Sequence, residues 1–113
     1  MNDFKIKMLE NFLKDSNSEL AFIINEHGKI ETSLKVLNDD SVGAMSGAII
    51  SMINKFLDDL ESGSMKQIFI KTTDSLVVFN KIDQNNNLIV FSKNAKNLGL
   101  YLHSVEELAS NLK

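Results

Sequence analysis

The sequence predicts an α+β fold: a five-stranded antiparallel sheet with helices on both faces. Three observations lead to it: a long helical pattern at residues 39–61, a shorter helical pattern near each end of the chain, and five short strand patterns. The predicted order is α-β-β-α-β-β-β-α, and each apolar face of such a sheet needs a covering layer. We expect residues 1–113 to form a single domain, with an N-terminal helix at 1–15 and a core at 19–113.

The two terminal helices are predicted from apolar residues at helical spacing. The first is predicted over residues 3–14, with Asp3 placed to cap it. The last is predicted over residues 97–112, with an apolar stripe of Leu98, Tyr101, Leu102, Val105, Leu108, Ala109 and Leu112.

The strands are read from short apolar or alternating runs, at residues 20–25, 29–37, 66–72, 75–82 and 88–92. The first and the last are apolar on both sides, which is typical of central strands. The second alternates, and we expect an edge strand with one face formed by Ile30, Thr32, Leu34 and Val36. Gly28 suits the tight turn that joins the first two strands.

The long helix at 39–61 has a broad apolar arc that we expect to cover the sheet. The arc contains Val42, Met45, Ile49, Ile50, Met52, Ile53, Phe56, Leu57 and Leu60. Acidic residues at 39 and 40 suit the positive end of the helix, and Gly63 is the predicted C-terminal cap.

A second flank of the long helix carries only small residues: Gly43, Ala44, Gly47, Ala48 and Ser51. We call it the small-residue flank. A glycine inside a helix costs about 1 kcal/mol relative to alanine, so two of them one turn apart indicate a closely approaching backbone. We expect that backbone to be the same helix of a second copy. Close packing within the domain is the alternative, and a phosphate cradle fits neither glycine-rich phosphate motif.

Composition excludes several functional classes. The net charge is −3 and the lysines are dispersed, unlike the basic patch of a nucleic-acid-binding protein. The absence of cysteine removes disulfides, thiolate zinc sites and cysteine nucleophiles. No apolar run has the roughly 18 residues of a membrane span, and the N-terminus lacks a signal-peptide pattern. We therefore expect a soluble, cytoplasmic protein with no nucleic-acid partner.

We find no catalytic, cofactor-binding or metal-binding constellation in the sequence, and we expect no enzyme. His27 lies in a predicted turn and His103 on a solvated helix face, neither beside a nucleophile. The acidic residues at 58, 59 and 61 have the pattern of a solvated helix end. Residues 83–87 are rich in side-chain oxygens but lack the spacing of a calcium-binding loop.

The chain resembles the Roadblock/LC7 domain. The resemblance rests on the element order after residue 19, the turn at 25–29, the glycine- and alanine-rich start of the long helix at 42–48, and Asn97-Leu98-Gly99-Leu100 at the last helix. It implies a profilin-like fold and a homodimer, or a heterodimer with a related Roadblock protein. It also implies a scaffold or regulator of a small Ras-like GTPase without catalytic activity of its own.

The resemblance further implies that two sheets join through the strand after the long helix, while the long helices pack side by side. Independently, that strand is short, and an unpaired strand edge invites a partner strand. The predicted dimer interface therefore comprises the small-residue flank and Gln67, Ile68, Phe69, Ile70 and Lys71. A small-molecule sensor with a ligand cavity is the alternative function, although the apolar strands offer few polar groups for a ligand.

Overall fold

A five-stranded antiparallel sheet lies at the centre of the fold, and its helices cover both faces. The structure, a computed structural model, describes residues 2–113, so Met1 of the predicted N-terminal segment 1–15 lies outside the described residues. The first helix begins at Asn2, so Asp3, the predicted cap, lies in its first turn. The elements are α1 (Asn2–Ser16), β1 (Leu20–Asn25), β2 (Ile30–Leu34), α2 (Asp39–Asp59), β3 (Gln67–Lys71), β4 (Leu76–Lys81), β5 (Asn86–Ser92) and α3 (Leu98–Asn111). The predicted fold class and element order are confirmed.

The strand order in the sheet is β2-β1-β5-β4-β3, with every neighbouring pair antiparallel. The apolar strands β1 and β5 lie inside the sheet, as their two-sided apolar pattern predicted. The alternating strand β2 lies at one edge, also as predicted. β3 forms the other edge, so its outer backbone groups have no partner strand within the described residues.

Two apolar cores lie on opposite faces of the sheet. On one face, side chains of α1 and α3 such as Leu9 and Val105 pack with Ile23 and Val78. On the other face, Ile50 of α2 packs with a second set of strand residues: Phe22, Ile24, Phe79 and Ile89. The alternation of side chains along each strand therefore supplies both cores.

β2 departs from the predicted strict alternation. Ile24 pairs with Ile30 and Ile23 pairs with Thr32, so Glu31 is an extra residue that forms a β-bulge. Ile30 consequently faces α2, whereas Thr32 faces the other side of the sheet. The strand also ends at Leu34 instead of residue 37, because Lys35 adopts a positive φ of 67°.

The end of α2 also differs from the prediction. The helix ends at Asp59 with Leu60 as its C-cap, and Glu61 takes the left-handed conformation at φ 55°. Glu61 N–H donates to the Asp58 carbonyl and Ser62 N–H to the Leu57 carbonyl, each at 2.9 Å, which is a Schellman motif. Gly63, the predicted cap, lies two residues beyond Glu61 with its own positive φ of 87°.

A buried hydroxyl network joins the α1–β1 connection to α3. The Ser18 hydroxyl lies 2.8 Å from the Tyr101 hydroxyl and 2.6 Å from the Ser16 hydroxyl. Ser16 in turn donates to the Phe12 carbonyl. Burial raises the pKa of Tyr101 above its usual 10.0, although hydrogen bonding with Ser18 and Ser92 opposes that effect.

Tyr101 is the only tyrosine in the chain, so its titration is directly observable. A pKa raised on folding means that the stabilisation is complete below pH 10.0 and is lost as the pH rises through the native value. We expect the phenolate absorbance to titrate at higher pH in native protein than in urea.

The matched variant is Tyr101→Phe. We expect it to lose about 1 kcal/mol at neutral pH, because the hydrogen bond to Ser18 is lost. Its unfolding free energy, measured in urea at increasing pH, should lack the Tyr101-dependent decline of the wild type above pH 10.0. A larger gap between the two proteins at high pH than at neutral pH would contradict the assignment.

Candidate protein-interaction surface

Four large apolar side chains on α2 and at its C-terminal end point into solvent. The exposed fractions are 58% for Met45, 68% for Met52, 59% for Phe56 and 58% for Leu60. We call these residues the exposed apolar flank. The prediction that the whole apolar arc covers the sheet is therefore wrong, since α2 buries only the part of that arc around Ile50.

The two glycines of the small-residue flank contact the chain's own backbone. A Cβ added to Gly43 would lie 2.6 Å from the Gly28 carbonyl oxygen, and one added to Gly47 would lie 2.9 Å from the Gly28 Cα. Neither distance is tolerated by a real side chain. The closely approaching backbone indicated by these glycines is thus the β1–β2 turn, which corrects the expectation that a second copy supplies it.

The β1–β2 turn is held in shape by its own residues. Gly28 has a φ of 73°, in the left-handed region that glycine adopts at no steric cost. The Asn25 Oδ1 accepts hydrogen bonds from the backbone N–H groups of His27 and Lys29, at 2.9 and 3.1 Å. This Asx-type turn presents the Gly28 backbone to α2 as a fixed surface.

Contact with this turn determines which flank of α2 remains free. At about 100° per residue, Met45 lies roughly on the opposite side of the helix from Gly43. α2 runs closest to β1 and β2. Towards β3, Ile68 and Val77 are only half-buried on the α2 side of the sheet, and Ile70 is 40% exposed. The apolar surface therefore extends from α2 to the β3 edge of the sheet.

The predicted interface residues fall into different environments. Gly43 is buried and Gly47 half-buried, whereas Ala44, Ala48 and Ser51 are exposed on the outer side of α2. On β3, Ile68 is half-buried, and Phe69, Ile70 and Lys71 are exposed. Gln67 is bound within the chain, because its Nε2 donates to the Asn80 Oδ1 at 2.7 Å and to the Leu102 carbonyl at 3.0 Å. Whether they contact a partner stays a prediction.

Met45, Met52, Phe56 and Leu60 are the surface residues that the sequence pattern assigned to the core. The signal that distinguishes them is the width of the arc. An amphipathic helix on one sheet buries a stripe of about 100°, whereas the apolar residues of α2 span considerably more.

The polar residues considered as chemical candidates lie apart in the structure. His27 is exposed in the β1–β2 turn, and His103 is exposed on α3, with its Nε2 3.5 Å from a Glu107 carboxylate oxygen. Within residues 2–113, no three histidine, cysteine or acidic side chains gather in an arrangement that holds a metal ion. In the same part of the chain, no helix is long and apolar enough to cross a membrane.

The fold has clear structural neighbours. MglB of Myxococcus xanthus superimposes with a TM-score of 0.89 at 13% identity, covering 96% of this chain and 91% of MglB. A Roadblock/LC7 domain from Streptomyces avermitilis superimposes with a TM-score of 0.84 at 11% identity, covering 95% and 92%. This chain has the Roadblock/LC7 fold.

The profilin-like character of that fold is confirmed as well. Profilin IA of Acanthamoeba castellanii superimposes on this Roadblock/LC7 fold with a TM-score of 0.68 at 14% identity, covering 95% of this chain and 94% of profilin. No family model matches the chain, and no curated protein matches it. The structural likeness thus identifies a fold that the sequence comparisons do not reach.

The contact between α2 and the turn gives a direct prediction for stability. Gly43→Ala improves helix propensity but brings a Cβ within 2.6 Å of the Gly28 carbonyl oxygen. We expect a net loss of about 2 kcal/mol, since overpacking against backbone outweighs propensity.

The matched control is Gly99→Ala on α3, where an added Cβ meets only the Asn97 Oδ1 at 3.7 Å. This variant should unfold at the wild-type urea concentration or slightly above it. Equal urea midpoints for Gly43→Ala and the wild type would show that α2 does not depend on this contact.

Proposed function

We propose that this chain is a non-catalytic scaffold of the Roadblock/LC7 type, which dimerises and binds a small Ras-like GTPase. The observation that supports this proposal most strongly is the exposed apolar flank of α2, from which the apolar surface extends to the sheet edge at β3. Large contiguous apolar patches on a protein surface are typical of protein–protein interaction sites.

In the proposed dimer, β3 pairs with its own copy across a two-fold axis, and the two α2 helices lie side by side. Such a contact is isologous, so the same surface serves both copies. A stable interface of this kind buries about 800 Å² on each partner. The apolar flank supplies the buried centre, and the small exposed residues Ala44, Ala48 and Ser51 allow close approach.

Gly43 and Gly47 keep a place in the proposed interface, but an indirect one. Their contact with Gly28 fixes the rotation of α2 and thereby presents the apolar flank outward. Substituting either glycine is a poor test of dimerisation, because the substitution first disturbs the fold of one chain.

The oligomeric assembly of one fold neighbour supports the proposal that this chain dimerises. One neighbour is an MglB described as having a tetrameric arrangement, with a TM-score of 0.87 to this chain at 12% identity. The resemblance to Roadblock/LC7 domains implies a partner copy that is identical or related. The same resemblance is the basis for the Ras-like GTPase partner. The proposed cytoplasmic location rests on composition, and the assignment of residues 1–113 to one domain rests on chain length.

The amino-acid composition limits how the proposed scaffold acts on a GTPase. The chain contains 12 lysines and no arginine, so it cannot supply an arginine finger to the transition state. An effect on GTP hydrolysis would have to come from ordering the switch segments of the GTPase itself. The alternative, a small-molecule sensor, is not favoured by the structural neighbours.

Dimerisation is tested with charges placed on the apolar flank. We expect wild-type protein to show the mass of a dimer by light scattering at about 50 µM, above the dissociation constant of a micromolar interface. Met52→Glu/Phe56→Glu should shift the mass to that of a monomer, because burying two carboxylates opposes association.

The control is Phe4→Glu/Leu100→Glu, which adds the same charge at side chains that are 68% and 67% exposed but lie outside α2 and β3. It should remain a dimer, and circular dichroism should show wild-type helix content for both variants. Monomeric wild type, or equal dissociation of both variants, would rule out this surface as the dimer contact.

The GTPase partner is tested by co-elution with purified Ras-like GTPases from the source organism, each loaded with GDP or a non-hydrolysable GTP analogue. We expect one GTPase to co-elute more strongly in one nucleotide state, since only the switch segments differ between the states. No co-elution in either state, by a dimer that is otherwise intact, would contradict the GTPase proposal while leaving the dimer in place.

A further inference from the structure

A second surface of the molecule has different chemistry. A cleft of about 270 Å³ lies between the β3–β4 turn and the connection from β5 to α3. Three lysines line it: Lys71 from the end of β3, and Lys93 and Lys96 from the connection. The carboxylate of Asp74, in the turn, is the acidic group on the lining.

The three ammonium groups have no acidic partner in the structure. Within residues 2–113, the ion pairs are Lys55–Asp59 and His103–Glu107, and both lie on other surfaces. With Asp74 and the neighbouring Glu19 counted, the region still carries a formal excess of one positive charge, although the whole protein has a net charge of −3. A positive cleft in an acidic protein concentrates anions locally.

The backbone around the cleft is fixed by hydrogen bonds. Glu19 accepts from the Lys93 backbone N–H at 2.7 Å and from Asn94 Nδ2 at 3.1 Å. The Ser92 hydroxyl accepts from the Asn94 N–H at 3.1 Å. On the other wall, Thr72 Oγ1 accepts from the N–H groups of Asp74 and Ser75. The Lys93 backbone is therefore held in place before any ligand arrives, which lowers the ordering cost of binding.

The start of α3 adds to the positive potential. Leu98, the first residue of α3, lines the cleft, and the first turn of the helix contains no acidic residue. The N-terminal end of a helix carries a partial positive charge that favours anions. Here this effect adds to that of the three lysines.

We propose that this cleft binds a small ligand bearing at least two phosphate groups. Lysine recognises phosphate as a point charge. The three lysines and the N-terminal end of α3 supply several positive groups for a ligand with two or more phosphates, and the volume lies just below the usual range for drug-sized ligands. The ligand is either a free polyphosphate compound or the phosphorylated headgroup of a lipid, because both present the same groups.

The cleft is built from residues of one chain, but one of its three lysines, Lys71, also belongs to the predicted dimer interface. The test therefore uses Lys93 and Lys96, which lie outside that interface. Loss of phosphate binding and loss of dimerisation are therefore separate outcomes.

The experiment is calorimetric titration with inorganic pyrophosphate at low ionic strength. We expect saturable binding by the wild type that weakens as salt is added. Lys93→Gln/Lys96→Gln should bind at least about tenfold more weakly, since two charge-assisted contacts are lost. Amide chemical shifts on adding pyrophosphate should move at the β3–β4 turn and at residues 93–98.

The matched control is Lys7→Gln/Lys29→Gln, which removes the same charge at lysines on α1 and in the β1–β2 turn. It should bind pyrophosphate as the wild type does. Equal weakening in both double variants would show only general attraction to a charged protein and would overturn the proposal.

Sedimentation with phosphatidylcholine vesicles that contain a phosphatidylinositol phosphate identifies the source of the ligand. Vesicle binding that pyrophosphate displaces would identify a lipid headgroup, and pyrophosphate binding without vesicle binding would identify a free compound. Binding of neither probe by the wild type would overturn the proposal.

Discussion

The contact between the Gly28 turn and α2 is the constraint on which the rest of the molecule depends. Gly43 and Gly47 bring the helix backbone against the backbone of the turn, closer than any Cβ would permit. Gly28 itself needs a positive φ to present that surface. Three glycines from two distant segments thus fix the position and the rotation of the longest helix. This contact between two backbones therefore determines which side chains of α2 face outward.

The rotation of α2 explains why its side of the sheet has both a buried core and an exposed apolar surface beside that core. Ile50 faces the sheet and packs with Phe79 and Ile89. Met52, two residues along, is turned away by about 200° and lies in solvent. Local helix propensity does not select between these two positions, because both side chains are apolar and both suit a helix. The contact of α2 with the β1–β2 turn determines which of the two side chains is buried.

The sequence predicts the fold well, because the fold depends on local periodicity. The two-sided apolar pattern of Leu20–Asn25 places β1 inside the sheet, and the alternating pattern of β2 places that strand at the edge. The bulge at Glu31 was missed because it alters pairing geometry without altering composition. Glu61 was missed as the residue after the C-cap because a glycine two residues later has the stronger intrinsic preference for a positive φ.

The interaction surface was predicted only in part, since it depends on contacts between residues far apart in sequence. The two glycines of α2 correctly indicated a closely approaching backbone. Periodicity within one helix, however, does not reveal that this backbone belongs to Gly28. The apolar arc of α2 is broader than one sheet face needs, and that excess was the available sign that part of the arc stays exposed. Apolar helix residues without a place in the monomer core are thus the positions on which the proposed assembly rests.

The β3 edge provides a physical reason to expect that assembly. Edge strands of monomeric proteins are usually protected by charge, by bulges or by a covering element. β3 has lysines only at and just beyond its ends, and its central residues Phe69 and Ile70 are 44% and 40% exposed. Its pairing with β4 is regular, so no bulge turns the edge away. An apolar, regular edge beside an apolar helix flank leaves backbone groups without a strand partner and apolar side chains in water. In the proposed dimer, a second copy related by a two-fold axis would cover both, since it would bring a strand to the edge and a helix to the flank.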